Sequence, residues 1–393
     1  MKKTIYYYLV VTGLTITSFC FGQKVTPQLN GSNCSIQVAN VYFEVDPTYG
    51  GRITSLKLDT KEILFVDNSA DNWGSTFWQS PQSAWNWPPS AALNSLAYAG
   101  GIKGDSINII SAIDDTYNTK LKFRKIFYAD KSDTSITLKY YMINTGTSSN
   151  SFAPWEITRV PVGGMEFFPD SGGITGTLAS QYTKIGDVSW LNYTGSSSGI
   201  KCFGNSKENW TAWINSDTSV FIKKFSNVPS GTQASGESEV EYYYAGPGAY
   251  YELENQGEYS LINAGDSLKW VMKWYVRKLP KNISKTKGSV DLVNFVRKVV
   301  EIQVDTTHTS IKKSNAENRV RLSPNPARKQ IYISGLDGPA SITFTDIKGR
   351  IILTTVITTN QEIISIDKLT EGFYFYNIHG TGINYNGKLI TKN

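Results

Sequence analysis

From residue 35 to about residue 279 the chain alternates apolar and polar residues in short runs broken by turn residues, with no sustained helical period. Val41, Phe43 and Val45 fall on one side of an extended chain, Tyr42 and Glu44 on the other. Asp46-Pro47-Thr48-Tyr49-Gly50-Gly51 is turn chemistry, and residues 53–58 read as the returning strand. A turn at 59–62 leads to a predicted strand at 63–65. The same alternation runs through Ile136, Leu138, Tyr140 and Met142, and residues 240–244, 250–254 and 268–276 are further strands. Many strands and short polar turns over roughly 250 residues predict one large antiparallel sandwich or barrel.

Leu279-Pro280 closes that region. Leu292, Phe295, Val296 and Val299 are spaced i, i+3, i+4, i+7, the mark of one short amphipathic helix within 289–302. Residues 306–318 are polar and read as a linker. From 319 onward the texture changes. Trp vanishes, and six or seven short strands fit into the remaining chain, the clearest at 330–334, 340–345, 351–356, 362–366 and 372–378. That strand density suits a small immunoglobulin-like sandwich. The expected organisation is therefore a leader over 1–22, a β-domain over 23–281, a linker with a short helix over 282–318 and a second β-domain over 319–393.

The leader reads as a secretory signal: Lys2 and Lys3 precede a charge-free apolar stretch, and Cys20 and Gly22 are small enough for cleavage before Gln23. No later segment reaches the ~18 apolar residues that span a bilayer. After cleavage two cysteines remain, Cys34 and Cys202. Export makes a bridge between them one reading and two buried thiols the other, since sequence carries no distance.

Composition narrows the chemistry. Charged residues make up 18% of the chain, and 10 Trp, 23 Tyr and 17 Phe take their place. The net charge of +6 is spread thinly, without the basic run of a nucleic-acid footprint. The only histidines are His308 and His379. Everything before them works without imidazole, which removes Ser-His-Asp triads, His-ligated zinc and a His general base from the main domain. Three motif matches fail on context. Gly195-Ser196-Ser197-Ser198-Gly199 lies in a Ser-rich loop, residues 382–388 have P-loop spacing but Leu389 in place of Ser or Thr, and Asp67 with Asp71 lacks the rest of a calcium loop. No metal or cofactor is expected.

Three constellations remain. Trp73, Trp78, Trp85 and Trp87 crowd into a tract with Gln79, Gln82, Asn86 and three prolines, with no charge between Asn72 and Ser90. Trp-Asn-Trp-Pro-Pro does not suit a central ladder, so the tract reads as a long stiff loop. Trp faces complement the C–H faces of sugar rings and amides complement their hydroxyls; the alternative is a lid folded over the core. In Trp155-Glu156-Ile157-Thr158-Arg159, strand geometry puts Trp155 and Arg159 on one face and Glu156 on the other, unless a bulge intervenes. Glu156 is a candidate base and Arg159 or Arg52 a partner for a uronate carboxylate, against a plain surface ion pair. Glu252 and Glu254 share a strand face, an arrangement that raises one pKa and suits a proton donor in glycoside cleavage. Solvated surface charge is the plainer reading for one of them.

Two resemblances join these readings. Leu322-Ser323-Pro324-Asn325-Pro326-Ala327, Asp346-Ile347-Lys348-Gly349-Arg350, Leu369-Thr370-Glu371-Gly372-Phe373-Tyr374 and Gly387-Lys388-Leu389 resemble, in order and spacing, the C-terminal sorting domain of type IX secretion in the Bacteroidota. That implies passage through the outer membrane and a secreted or cell-surface protein, with the secretion machinery as partner. Tyr49-Gly50-Gly51-Arg52-Ile53, residues 72–78, Pro154-Trp155-Glu156-Ile157-Thr158-Arg159, Tyr251-Glu252-Leu253-Glu254 and residues 263–267 resemble the galactose mutarotase-like superfamily, large antiparallel β-sandwiches that bind sugars. Its aldose epimerases use a His acid with a Glu base, and a domain without His departs from them. The expectation is an all-β, exported carbohydrate-binding protein. Its carbohydrate contacts would be Arg52, Trp73, Trp78, Trp85, Trp87, Trp155 and Arg159, with Glu156 and Glu252 the catalytic candidates. A lyase or hydrolase built on Glu, Tyr and Arg is one alternative, and a structural or adhesive protein another.

Overall fold

The computed structural model describes residues 25–69, 72–85, 87–229, 231–301, 321–336, 339–346, 350–359, 361–380 and 383–392. The expected leader, linker residues 306–318, Asp71, Asn86 and His308 lie outside them. The chain divides into two compact units, residues 1–305 and 306–393.

The first unit is an antiparallel β-sandwich whose described residues form one 12-stranded and one 10-stranded sheet. The alternation read from the sequence is the burial pattern observed: in Val41–Asp46 every second residue is buried, as it is along Leu121–Asp130. The inward residues of both sheets meet in one core, where Phe77 stacks on Tyr140 with ring centroids 4.1 Å apart and Phe43 lies 5.4 Å from Phe127. The middle of the larger sheet runs through Arg52–Leu58, Ser75–Ser80, Asn150–Pro161, Tyr250–Gln256, Val240–Tyr244 and Ile200–Gly204, in that order.

Three features differ from the expectations. Ile63 and Leu64 are buried and Phe65 half-buried without forming a strand, because the short hairpin partner is Lys61–Glu62. Ser75–Ser80, inside the tract read as a loop, is a central strand, and its prolines fall just beyond it at 81, 88 and 89. Gly74 permits this entry: its φ is +59° and a Cβ would lie 2.3 Å from the Ile53 carbonyl oxygen. The amphipathic helix is Val290–Glu301, and it belongs to the sandwich rather than to a linker. Its Leu292, Val293, Val296 and Val300 pack with Trp190, Trp210, Ile222 and Tyr275 on the outer face of the second sheet. Of the two readings open for the cysteines, the structure has the second: Cys34 and Cys202 are both buried and free, on strands Asn33–Val38 and Ile200–Gly204 near opposite ends of the larger sheet.

Among the described residues the second unit holds seven strands in a three-stranded and a four-stranded sheet, around a core of Ile331, Ile333, Ile342, Phe344, Ile378 and Leu389. Gln330–Ser334 and Ala340–Thr345 fall where the alternation placed them.

Candidate functional site

Strand parity assigns the chemistry of the larger sheet to its two faces. The register along Trp155 to Pro161 against Tyr250 to Gln256 is unbroken, so no bulge mixes the faces. Leu253 and Tyr251 turn inward with Tyr242, Tyr244 and Cys202. The opposite face carries Thr76, Trp78, Trp155, Arg159, Lys201, Glu241, Tyr243, Glu252 and Glu254 side by side. A cleft of about 290 Å³ opens there, lined by Asn72, Trp78, Gln82, Trp87, Trp155, Lys201, Tyr243, Tyr250, Glu252 and Glu254.

Three of the four clustered tryptophans help shape it, each differently. Trp78 and Trp85, both buried, form with Trp155 and Ile157 a small apolar cluster separate from the main core. Trp78 stands edge-on to Trp85, Trp87 and Trp155 at 5.6–5.8 Å. Its Nε1 donates to Asn94 at 2.8 Å, and Trp85 Nε1 donates to the Gln79 carbonyl at 2.9 Å. Trp85 therefore anchors the segment and does not line the cleft. Trp87 is 53% exposed and lines it. Trp73 lies outside the lining, stacked on Tyr49 at 6.2 Å.

The floor is a row of buried charges. Arg159 Nε donates to Glu252 at 2.8 Å and its Nη1 to Thr76 at 2.8 Å, while its guanidinium lies 5.3 Å from the Trp78 ring centroid. Lys201 Nζ reaches Glu241 at 2.6 Å and Glu254 at 3.0 Å, and Trp155 Nε1 donates to Glu254 at 2.8 Å. Burial pushes the Glu252 carboxyl above the usual carboxylate range. Arg159 opposes that push and Glu254 reinforces it. Glu241 is raised further, again chiefly by burial. Burial works against the Lys201 ammonium, but Glu254 and Glu241 outweigh it and hold its pKa above the ordinary lysine value. Neither acid of the 252/254 pair is solvated surface charge: Glu252 is 8% exposed and Glu254 2%.

Glu156 is absent from the cleft. It faces the interior, accepts hydrogen bonds from Ser75 and Thr158, and pairs with Lys223 of the second sheet. Parity alone put it there, and without a bulge it cannot act as base for a ligand on the outer face. Lys223 has its pKa lowered by burial against the pull of Glu156. Lys125, also buried, donates to the carbonyls of Gly50 and Gly51, and burial followed by the charge of Arg52 brings it down to about 7. Arg52 is buried beneath Tyr49 and Trp73 and does not line the cleft. Of the residues singled out in sequence, the cleft thus gathers Trp78, Gln82, Trp87, Trp155, Glu252 and Glu254, with Arg159 directly behind Glu252. It adds Lys201, Tyr243 and Tyr250, for which period-two alternation opposite Cys202, Tyr242 and Tyr251 was the available signal.

Residues 321–392 match the sequence model of the secretion system C-terminal sorting domain. A chain bearing this tail is exported and is either attached at the cell surface or released. No curated protein sequence matches the chain. Among solved structures it is similar to a protein of Synechocystis sp. PCC 6803, at 12% identity over 65% of this chain and 96% of that one, with a TM-score of 0.47. It is also similar to a galactose mutarotase-like protein from Clostridium acetobutylicum, at 10% identity over 65% and 98%, TM-score 0.45. A third, from Lactobacillus casei ATCC 334 and likewise described as galactose mutarotase-like, has 12% identity over 62% and 99%, TM-score 0.43.

Proposed function

We propose that this exported protein recognises carbohydrate in the cleft on the outer face of its larger sheet. One observation carries the reading: Trp87 is a half-exposed indole held against a cleft whose remaining lining is indole, phenol, amide, carboxylate and ammonium. Apolar ring faces beside planar hydrogen-bonding groups match the two surfaces of a pyranose. The acceptors and donors are already oriented by the Arg159–Glu252 and Lys201–Glu254 pairs, so little ordering remains for binding.

The test is a glycan array with the exported chain, followed by calorimetry on the best-retained oligosaccharide with wild type and Trp87→Ala. Retention of a defined set of glycans, weakened by that substitution, supports the reading. No retention by a folded protein refutes it.

A second reading, glycosidic cleavage, is favoured by the raised pKa of Glu252 beside Glu254. There Glu252 supplies the proton to the leaving oxygen. Glu252→Gln separates the two: binding survives in both, and release of reducing ends disappears only if cleavage occurs.

A further inference from the structure

Arg52 is 1% exposed, and it makes no ion pair with any described residue. Its Nη1 donates to the Trp73 carbonyl at 2.9 Å, while Nε and Nη2 are buried without a partner. The guanidinium lies 4.9 Å from the Tyr49 ring centroid and 5.0 Å from that of Trp73. Those rings attract the cation but supply neither a counter-charge nor an in-plane acceptor. The pairing of Ile53 with Ser75 sets Arg52 beside Thr76, and Thr76 accepts from Arg159. Arg159 Nη2 is likewise buried and unpartnered. Two neighbouring guanidinium groups therefore hold three nitrogens with unsatisfied N–H.

Buried donors without acceptors are costly, and a buried cation without a counter-ion is costlier still. The opposite end of the row has the reverse imbalance, with Glu241 and Glu254 sharing one lysine. Among the described residues the row is thus graded from acid-rich at Lys201 to an Arg52 without an ion pair. We propose that the ligand carries an anionic substituent (carboxylate, sulfate or phosphate) that is received by Arg52 and Arg159 under the Tyr49–Trp73 stack, while its hydroxyls meet the acid-rich end. This rests on the carbohydrate reading and names the class of sugar. Of the residues lining the cleft, Glu252 holds Arg159 directly and Asn72 precedes Trp73 in the chain. Tyr49 is 38% exposed, so the stack over Arg52 meets solvent on its Tyr49 side.

The experiment titrates the exported chain with glucose, glucuronate, glucose 6-sulfate and glucose 6-phosphate, and with the matching galactose series. One acidic sugar should bind at least about tenfold more tightly than its neutral parent, the worth of a charge-assisted hydrogen bond. The preference should shrink with added salt. It should vanish in Arg52→Met, with neutral binding retained. Arg52→Lys and the salt dependence of wild type keep the test decisive if Arg52→Met does not fold. Neutral sugars bound through Trp87 as tightly as acidic ones would overturn this inference and leave carbohydrate recognition standing. Binding of neither series by a folded chain would overturn both. Thermal stabilisation by inorganic sulfate or phosphate, without any preference among sugars, would overturn it in favour of a free anion.

Discussion

Trp87 and Trp85 stand two residues apart in one tract, yet truncating them should have opposite consequences. A Trp side chain presents up to about 250 Å². Trp87 is 53% exposed, so roughly 130 Å² stays open to a ligand. At about 25 cal/mol per Å², covering that area is worth at most ~3 kcal/mol. Alanine truncation of an aromatic anchor costs about 1–3 kcal/mol of affinity, a loss of about 5- to 150-fold. Its contact with the rest of the protein is an edge-on pairing with Trp78 at 5.7 Å, worth about 0.5–1.5 kcal/mol to folding. Trp85 is 4% exposed, sits in the Trp78–Trp155 cluster and satisfies the Gln79 carbonyl. Removing it opens a cavity and orphans that acceptor, for about 3–5 kcal/mol of stability. Calorimetry on the array-selected oligosaccharide, with denaturant melts of both variants, reads both quantities. Trp87→Ala binding like wild type would refute the reasoning, as would a Trp87→Ala that melts earlier than Trp85→Ala.

Three other outcomes follow from the buried charges and the tail. Lys125 has a folded-state pKa of about 7 against 10.5 when exposed; the unfolded chain binds more protons between these values, so stability should climb from pH 7 toward pH 10. That climb, about 2 kcal/mol over the first two pH units, should be missing from the melts of Lys125→Met, and an unchanged slope would count against it. Lys223→Met leaves Glu156 as an unpaired interior charge and should cost about 3–5 kcal/mol; adding Glu156→Gln should recover part of the loss, and strictly additive costs would argue that the pair is uncoupled. Deleting residues 319–393 should strand a folded first unit in the periplasm, and surface delivery of the truncated protein, followed by fractionation, would contradict the sorting role.

Strand parity, helix spacing and the sorting motifs are local properties, and they were legible in the chain itself. Each depends on residues two to four apart or on a short contiguous string. Val41–Asp46, the 290–301 helix and the five strands read in the second unit accordingly stand where the pattern placed them, to within a residue or two. Parity also assigned Glu156 and Arg159 to opposite faces; the structure adds that no bulge relaxes it. What depends on the packing of distant segments was not legible. Trp78 belongs to a strand because Asn150–Pro161 pairs with it. The fates of Trp85 and Trp87 diverge because Trp85 packs into the Trp78–Trp155–Ile157 cluster while Trp87 stays outside it and half-exposed. The chain shows that Lys201 and Glu254 exist, but only a sheet that sets their strands on either side of Val240–Tyr244 makes them a pair, and only the same sheet buries Arg52 without an ion pair among the described residues.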